Sequence, residues 1–367
     1  MATAPTSRLA SLWPQVVPAL AVVLLAFTWG RHLGTIPVLL VAVVLAGAVL
    51  ASVHHAEVVA HRVGEPYGSL VLAVAVTVIE VGLIVTLMLS GGDKAATLAR
   101  DTVFAAAMIT MNGIVGLCLL VGALRHGVPR FNAEGAGGAL GTLVALAVLC
   151  LVLPTFTTTE PGPRFSGAQL TFAGVVSLLL WVTFVLTQTV RHRDFFLPVV
   201  DDDHVPAEDE HADPPSARAA LVSLGLLLVA LVAVVGLAKV ESPAIEDAVE
   251  AAGAPQSFVG VVIALLVLTP ETLAAVRAAR RNLMQTSLNL AYGSAMASIG
   301  LTVPVIGLAT VWLDGPLDLG LGSVQIVLLM LTVAVSVLTV VPGRATRLQG
   351  AVHLAIFGAF VFLSISP

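Results

Sequence analysis

Long apolar runs separated by short polar connections form the dominant pattern of this chain. Each run has about 20 residues, which is the length of helix that crosses the hydrocarbon of a bilayer. The connections carry turn-forming and charged residues, as in Gly91-Gly92-Asp93 and Pro342-Gly343-Arg344. The pattern predicts eleven membrane-spanning helices, over residues 12–30, 35–54, 67–90, 101–124, 137–156, 167–190, 218–238, 256–276, 284–312, 319–341 and 347–366.

The composition agrees with this interpretation. Of the 367 residues, 58% are hydrophobic and 11% are charged, and the mean hydropathy is +1.01. Soluble domains carry about 25% charged residues, so this chain has too little polar surface for a water-soluble globule. We predict an all-α integral membrane protein. Cys118 and Cys150 both lie in apolar runs and predict no disulfide framework.

The basic residues indicate an orientation, because cytoplasmic loops are enriched in Lys and Arg. With eleven spans and the N-terminus inside, the cytoplasmic segments hold most of the 17 basic residues, namely Arg8, Arg62, Arg125, Arg130, Arg191, Arg193, Arg218, Arg277, Arg280, Arg281, Arg344 and Arg347. The outer segments hold Arg31, Lys94, Arg100, Arg164 and Lys239. This bias predicts a cytoplasmic N-terminus and an outer C-terminus.

One acidic stretch divides the chain after the sixth span. Residues 201–213 contain seven acids, two histidines and no Lys or Arg. A solvated connector and a cation-attracting or regulatory segment both fit this composition, and the sequence does not decide between them. The predicted organisation is a leading helix over 1–34, a first repeat over 35–191, an acidic cytoplasmic linker over 192–217 and a second repeat over 218–367.

Two carboxylic acids lie deep within the predicted spans, Glu80 in the third and Glu271 in the eighth. An ionised group at bilayer depth costs from about 3 to more than about 10 kcal/mol, so such residues are rare and mark ion paths or proton relays. A protonated structural Glu is the alternative. The surrounding sequences match, since each acid follows a Gly-led apolar run and precedes a helix with polar residues. We expect supporting roles for Thr77, Thr110, Asn112, Thr269, Pro270, Ser294 and Ser298.

The two acid-bearing spans run in opposite directions on the predicted topology, which is typical of an inverted repeat with its ion site at the bilayer midplane. Two carboxylates balance one divalent cation, and Ca²⁺ takes about 6–8 oxygen ligands. Pro270 removes a helical hydrogen bond and so frees a backbone oxygen beside Glu271. The small residues Ser287, Ala291, Ser294 and Ser298 form one stripe, which fits close helix packing and a polar wall equally well.

The sequence resembles the cation/calcium exchanger superfamily, and most closely its bacterial calcium/proton antiporter branch. The resemblance lies in GEPYG at 64–68, which leads to Glu80, and in LTPETLAAVRAARRNLMQTSLNLAYGSAMASIGLTVP at 268–304. In related exchangers the repeat motif reads roughly Gly-Asn-Ala-x-Glu; here the Gly-Asn is absent and only the glutamates carry over. The resemblance implies one leading helix and two inverted five-helix repeats in a bacterial inner membrane.

It also implies a secondary active antiporter that exports Ca²⁺ in exchange for H⁺, with alternating access at a midplane site of Glu80 and Glu271. An Na⁺(K⁺)/H⁺ antiporter on the same scaffold is the alternative. A cation channel is less favoured, because the polar groups cluster at one depth. We expect Ca²⁺ and H⁺ as substrates, with Na⁺ or K⁺ in the alternative, no cofactor and no nucleic-acid partner. The sequence does not determine affinity, stoichiometry or oligomeric state.

Two further features complete the pattern. His54, His55 and His61 lie with Glu57 near the inner end of the second span, where a zinc or pH-sensing site and an ordinary polar helix end are both consistent with the spacing. The chain lacks a phosphate-binding Gly-Lys-Thr loop, a His-Glu-x-x-His motif and a Gly-x-Ser-x-Gly motif. We therefore expect no enzymatic activity.

Overall fold

The computed structural model describes residues 8–31, 33–64, 67–90, 96–199, 215–312 and 316–366. In these ranges nine helices are long and apolar enough to cross a membrane, and two shorter apolar stretches, Leu12–Thr28 and Val74–Thr86, bring the number to eleven. The prediction of an all-α membrane protein with about eleven spans is confirmed. The acidic stretch 201–213 lies outside the described residues, so its role stays a prediction.

The helices follow the apolar runs closely. They are α1 (Arg8–Thr28), α2 (Thr35–Val63), α3 (Tyr67–Ser90), α4 (Leu98–Met108), α5 (Val115–His126), α6 (Ala133–Ala147), α7 (Gly167–Leu186), α8 (Ala217–Ala251), α9 (Phe258–Arg280), α10 (Met284–Ala309), α11 (Ser323–Val340) and α12 (Arg347–Ile365). A π-helical segment, Ile109–Ile114, joins α4 to α5, so that the two form one span. Such segments often occur at functional sites.

One compact unit comprises residues 1–86 and 211–248, and therefore α1, α2, most of α3 and most of α8. Small residues let these helices approach closely, as is common in membranes. Gly47 on α2 faces Val17 on α1, and Gly236 on α8 faces Leu25 on α1. Gly82 on α3 packs directly against Val235 on α8.

The second compact unit comprises residues 87–210 and 249–367. Its central helices are α9 and α10, which pack against each other; α9 also packs against α4 and α5, and α10 against α6 and α7. Helix α12 lies along α5. A Cβ atom on Gly350 would come 2.6 Å from the backbone nitrogen of Leu120, so this helix pair is in near-backbone contact.

Two groups of loops pair in the second unit, one at each end of its helices. At one end the Phe131 N–H donates to the Gly343 carbonyl at 2.9 Å and the Ala345 N–H to the Pro129 carbonyl at 2.8 Å. At the other end the Gly320 N–H donates to the Pro163 carbonyl at 2.9 Å, and Arg164 forms an ion pair with Asp318. The topology predicts the members of each group on the same side of the membrane, so these contacts support the predicted alternation.

The ion pair between Arg164 and Asp318 lies outside the spans. The hydrogen bond to the Asp318 carboxylate is the main cause that raises the pKa of the Arg164 guanidinium above its usual value. Arg164 therefore stays charged at every pH used in transport assays.

Candidate cation site

Glu80 lies in the first unit, on α3, with only 3% of its surface exposed. Its neighbours along the buried face are apolar, including Ile79, Leu83 and Ile84, which are 0–2% exposed. Thr77, one turn before Glu80, is also buried. The helix thus places a carboxylate and a hydroxyl on its protein-facing side, within surroundings that favour a neutral or ion-bound carboxyl group.

Glu271 lies in the second unit, on α9, with 5% of its surface exposed. Helix α9 remains helical through Pro270, so the effect of the proline is limited to one missing hydrogen bond. Pro270 has no N–H to donate to the carbonyl of Leu266. That carbonyl is therefore the backbone oxygen that the proline frees near Glu271.

The predicted supporting residues of the second unit separate into two groups. Thr110, Asn112, Ser294 and Ser298 are all buried, on the π-helical segment and on α10, both of which pack against α9. The Thr110 hydroxyl donates to the Ala106 carbonyl at 2.6 Å. Thr269 instead lies on an exposed part of α9, and its hydroxyl donates to the Leu265 carbonyl of its own helix at 2.7 Å. The structure does not place Thr269 on the buried face of Glu271.

The stripe of small residues on α10 contributes to helix packing. The Ser287 hydroxyl donates to the Ala275 carbonyl of α9 at 2.8 Å, which ties the two helices together. Ala291 and Ser298 continue the same buried face. Asn289, one of the polar residues after Glu271, donates to the Phe196 carbonyl at 2.7 Å. These contacts support the packing interpretation of the stripe and leave its role as a polar wall as a prediction.

The structure adds a buried polar network that the sequence interpretation missed. Asn112, Thr332, Thr339 and His353 are each 0–2% exposed. Asn112 Nδ2 donates to Thr332 Oγ1 at 2.9 Å, and Asn112 Oδ1 lies 3.2 Å from His353 Nδ1. The other ring nitrogen, His353 Nε2, lies 3.0 Å from Thr339 Oγ1. The available signal was a histidine within an apolar run, a residue type that is rare in spans and often functional.

The chemistry of the network determines where its hydrogens lie. The Thr332 hydroxyl donates to the Leu328 carbonyl at 2.8 Å, so it accepts from the Asn112 amide. The amide oxygen of Asn112 therefore faces His353 and accepts from Nδ1–H. In the neutral imidazole this leaves Nε2 as an acceptor for the Thr339 hydroxyl. Each of these four side chains has a hydrogen-bond partner, which is the condition for a stable polar cluster in a membrane core.

The histidines on α2 have a structural explanation. His55 is 3% exposed, and its Nε2 atom lies 2.8 Å from the Pro14 carbonyl of α1. That carbonyl has no helical donor, because residue 18 is also a proline. His54 lies near the Trp13 ring, and His61 is exposed. Within the described ranges no group of three His, Cys, Asp or Glu side chains is placed to hold a metal ion.

Comparison with known proteins identifies the family. The sodium/calcium exchanger protein family matches residues 33–190 and 222–366. The chain is 46% identical over 359 residues to a putative ionic transporter, y4hA, of Sinorhizobium fredii, covering 97% of this chain and 96% of the relative. It is 36% identical over 351 residues to the sodium-potassium/proton antiporter ChaA of Escherichia coli, covering 94% of each chain.

More distant relatives agree with this assignment. A Ca²⁺/H⁺ antiporter of Aphanothece halophytica is 25% identical over 268 residues, covering 69% of this chain and 71% of the relative. The solved structure of native YfkE superposes with a TM-score of 0.72 at 16% identity, over 97% of this chain and 99% of that chain. The chain therefore belongs to the sodium/calcium exchanger protein family, within the cation/calcium exchanger superfamily that its sequence resembles.

Proposed function

We propose that this chain is a secondary active antiporter that exports Ca²⁺ in exchange for H⁺ across a bacterial inner membrane, with its N-terminus in the cytoplasm. One observation carries the proposal: each of the two family segments carries a buried glutamate near the middle of a spanning helix, Glu80 on α3 in the first and Glu271 on α9 in the second. A deeply buried carboxylate in a span is by default part of an ion or proton path.

The proposed coupling follows from charge. Two carboxylates balance one Ca²⁺, and metal binding requires them to be deprotonated, so metal and protons compete for the same oxygens. The ion-loaded and the protonated carboxylates are both neutral overall and can be exposed to the other side. The empty, doubly charged pair is not, because bare charge in the apolar region is expensive. An inward proton gradient then drives the cation outward.

Exchange of Na⁺ or K⁺ for H⁺ is the second candidate, and a specific observation favours it. The sodium-potassium/proton antiporter of Escherichia coli is 36% identical over 94% of the chain, whereas the Ca²⁺/H⁺ antiporter of Aphanothece halophytica is 25% identical over 69%. Both candidates use the same scaffold and the same two carboxylates. They differ only in the cation that displaces the protons.

Cation-dependent proton movement in everted vesicles tests the proposal. Vesicles that contain the protein are energised, each cation is added in turn, and the internal pH is followed with a fluorescent dye. We expect Ca²⁺ to dissipate the pH gradient at lower concentration than Na⁺ or K⁺. The opposite order would support the second candidate, whereas proton flux that needs no added cation would contradict an antiporter of either kind.

A further inference from the structure

Helix α8 carries a buried carboxylate that the proposed mechanism does not use. Its fully buried face is formed by Ala230, Val234 and Leu237, each 0% exposed. The spacing of four and three residues is that of one helix face, and the next member of the series is Glu241. Glu241 is 5% exposed, so an acid occupies a position where the pattern calls for an apolar residue.

The hydrogen-bond partners around the Glu241 carboxylate bear on its charge. Among the residues that the structure describes, none hydrogen-bonds its Oε2 atom, which is buried. The adjacent Ser242 hydroxyl donates to Glu246 instead, at 3.0 Å. An ionised carboxylate without a donor is costly when buried, whereas the neutral acid carries no charge to compensate. The local structure of Glu241 therefore suits a group that holds a proton.

In the part of the chain that the structure describes, the charged groups near this end of α8 do not neutralise Glu241. Lys239 is two positions away, on the opposite side of the helix, and its ammonium lies over the ring of Trp29, in the turn after α1, 5.3 Å from the ring centroid. On the turn after α1, Arg31 is exposed. Asp247, on α8 itself, is exposed as well. On α3, the other helix packed against α8, the buried acid is Glu80.

The position of Glu241 relative to Glu80 follows from the contact between Gly82 on α3 and Val235 on α8. Both helices run outward on the predicted topology. Glu80 precedes Gly82 by two residues and Glu241 follows Val235 by six, so at about 1.5 Å per residue Glu241 lies about 12 Å further outward. It is also near the end of the apolar part of α8, where protons from the outer solution arrive.

We propose that Glu241 is a proton-binding residue on the outer side of Glu80, which takes up protons from the outer solution and releases them towards Glu80. The ligand is a proton rather than Ca²⁺, because Ca²⁺ takes about 6–8 oxygen ligands and Glu241 offers a single carboxylate. This inference rests on the proposed antiport function. Protonation of Glu241 would then be a step of the transport cycle in addition to the protonation of Glu80 and Glu271.

The test compares Glu241→Gln with Asp247→Asn in purified protein reconstituted into liposomes. Asp247→Asn removes the same charge from an exposed position of the same helix end, so it is the matched control. The first measurement is the rate of cation-coupled proton flux as the pH on the outer face is varied. We expect Glu241→Gln to lose the dependence on outer pH that the wild type and Asp247→Asn show, while the cation concentration for half-maximal rate stays unchanged.

The second measurement is the infrared carbonyl band of protonated carboxylic acids, recorded as the outer pH is lowered. We expect one component of this band to be present in the wild type and in Asp247→Asn and absent in Glu241→Gln, while the components from the other acids remain. If Glu241→Gln loses its component of the band but the wild type shows no cation-coupled flux, Glu241 is still a proton-binding residue and the proposed antiport function is wrong. If flux is present while Glu241→Gln keeps both this component and the wild-type pH profile, the inference is wrong.

Discussion

The imidazole of His353 and the side-chain amide of Asn112 meet in the buried core of the second unit, with 3.2 Å between Nδ1 and Oδ1. The contact joins α12 to the π-helical segment Ile109–Ile114, which also packs against α9, the helix of Glu271. Neighbouring Gly116 allows the approach, because a Cβ atom there would lie 2.9 Å from His353 Cβ. The relationship makes His353 a positioning residue for Asn112.

Replacing His353 by Leu should therefore destabilise the protein. The change leaves the Asn112 oxygen and the Thr339 hydroxyl without their partner, and each buried unsatisfied group costs about 1–3 kcal/mol. We expect a lower unfolding temperature in detergent and slower exchange. His353→Asn keeps an N–H donor and should recover part of the unfolding temperature and part of the exchange rate. An equal loss in the two variants would indicate that the volume of the imidazole ring, and not its hydrogen bonds, stabilises the protein.

Gly350 gives a test of helix packing that is independent of transport. A methyl group there meets the Leu120 backbone nitrogen at 2.6 Å and the Gly116 carbonyl at 2.9 Å, so Gly350→Ala forces α12 away from α5. Overpacking of this kind costs about 1–3 kcal/mol. Gly358→Ala, on the same helix with no atom within 4 Å of the added carbon, is the control and should leave the unfolding temperature nearly unchanged.

Neutralising either transport carboxylate should abolish exchange. In Glu80→Gln and in Glu271→Gln the remaining acid cannot balance a divalent cation, and one proton-binding group is gone. Glu→Asp at either position should leave partial activity, because the charge remains but the side chain is shorter. Ca²⁺-coupled proton flux in vesicles measures the effect, with membrane insertion checked in parallel. Near-normal flux in either Gln variant would contradict the shared role of the two acids.

Orientation is tested by reporter fusions. We expect reporters attached at the N-terminus and in the 192–217 linker to be active in the cytoplasm, and a reporter at the C-terminus to be active outside, because the basic residues are biased towards the predicted inner segments. A linker reporter active outside would invert the topology. It would leave the pairing of loops on each side of the second unit intact.

The acidic linker is tested by charge removal. If residues 201–213 form only a solvated connector, replacing their seven acids by Asn and Gln should leave the rate and the cation dependence of transport unchanged. A large shift in the cation concentration for half-maximal rate would show that the stretch attracts or senses cations. Replacing an equal number of uncharged linker residues controls for the effect of multiple substitutions that leave the charge unchanged.

The sequence predicted the spans and the burial of Glu80 and Glu271 because both depend on local hydrophobicity, which is readable residue by residue. It did not predict the His353 network, whose members are up to 241 positions apart and meet only after folding. The expected supporting role of Thr269 beside Glu271 conflicts with helix geometry. Thr269 and Glu271 are two positions apart on a continuous helix, about 200° around its axis, so both cannot occupy one face.

The two prolines of α1 bear on how the protein enters the membrane. The Pro14 carbonyl finds no donor within its own helix and obtains one from His55 on α2. In lipid an unsatisfied backbone group costs several kcal/mol. An isolated α1 in a bilayer therefore carries an unsatisfied Pro14 carbonyl, whereas α1 paired with α2 does not. The α1–α2 pair therefore satisfies a backbone group that α1 cannot satisfy by itself, which favours a paired hairpin over two separate helices.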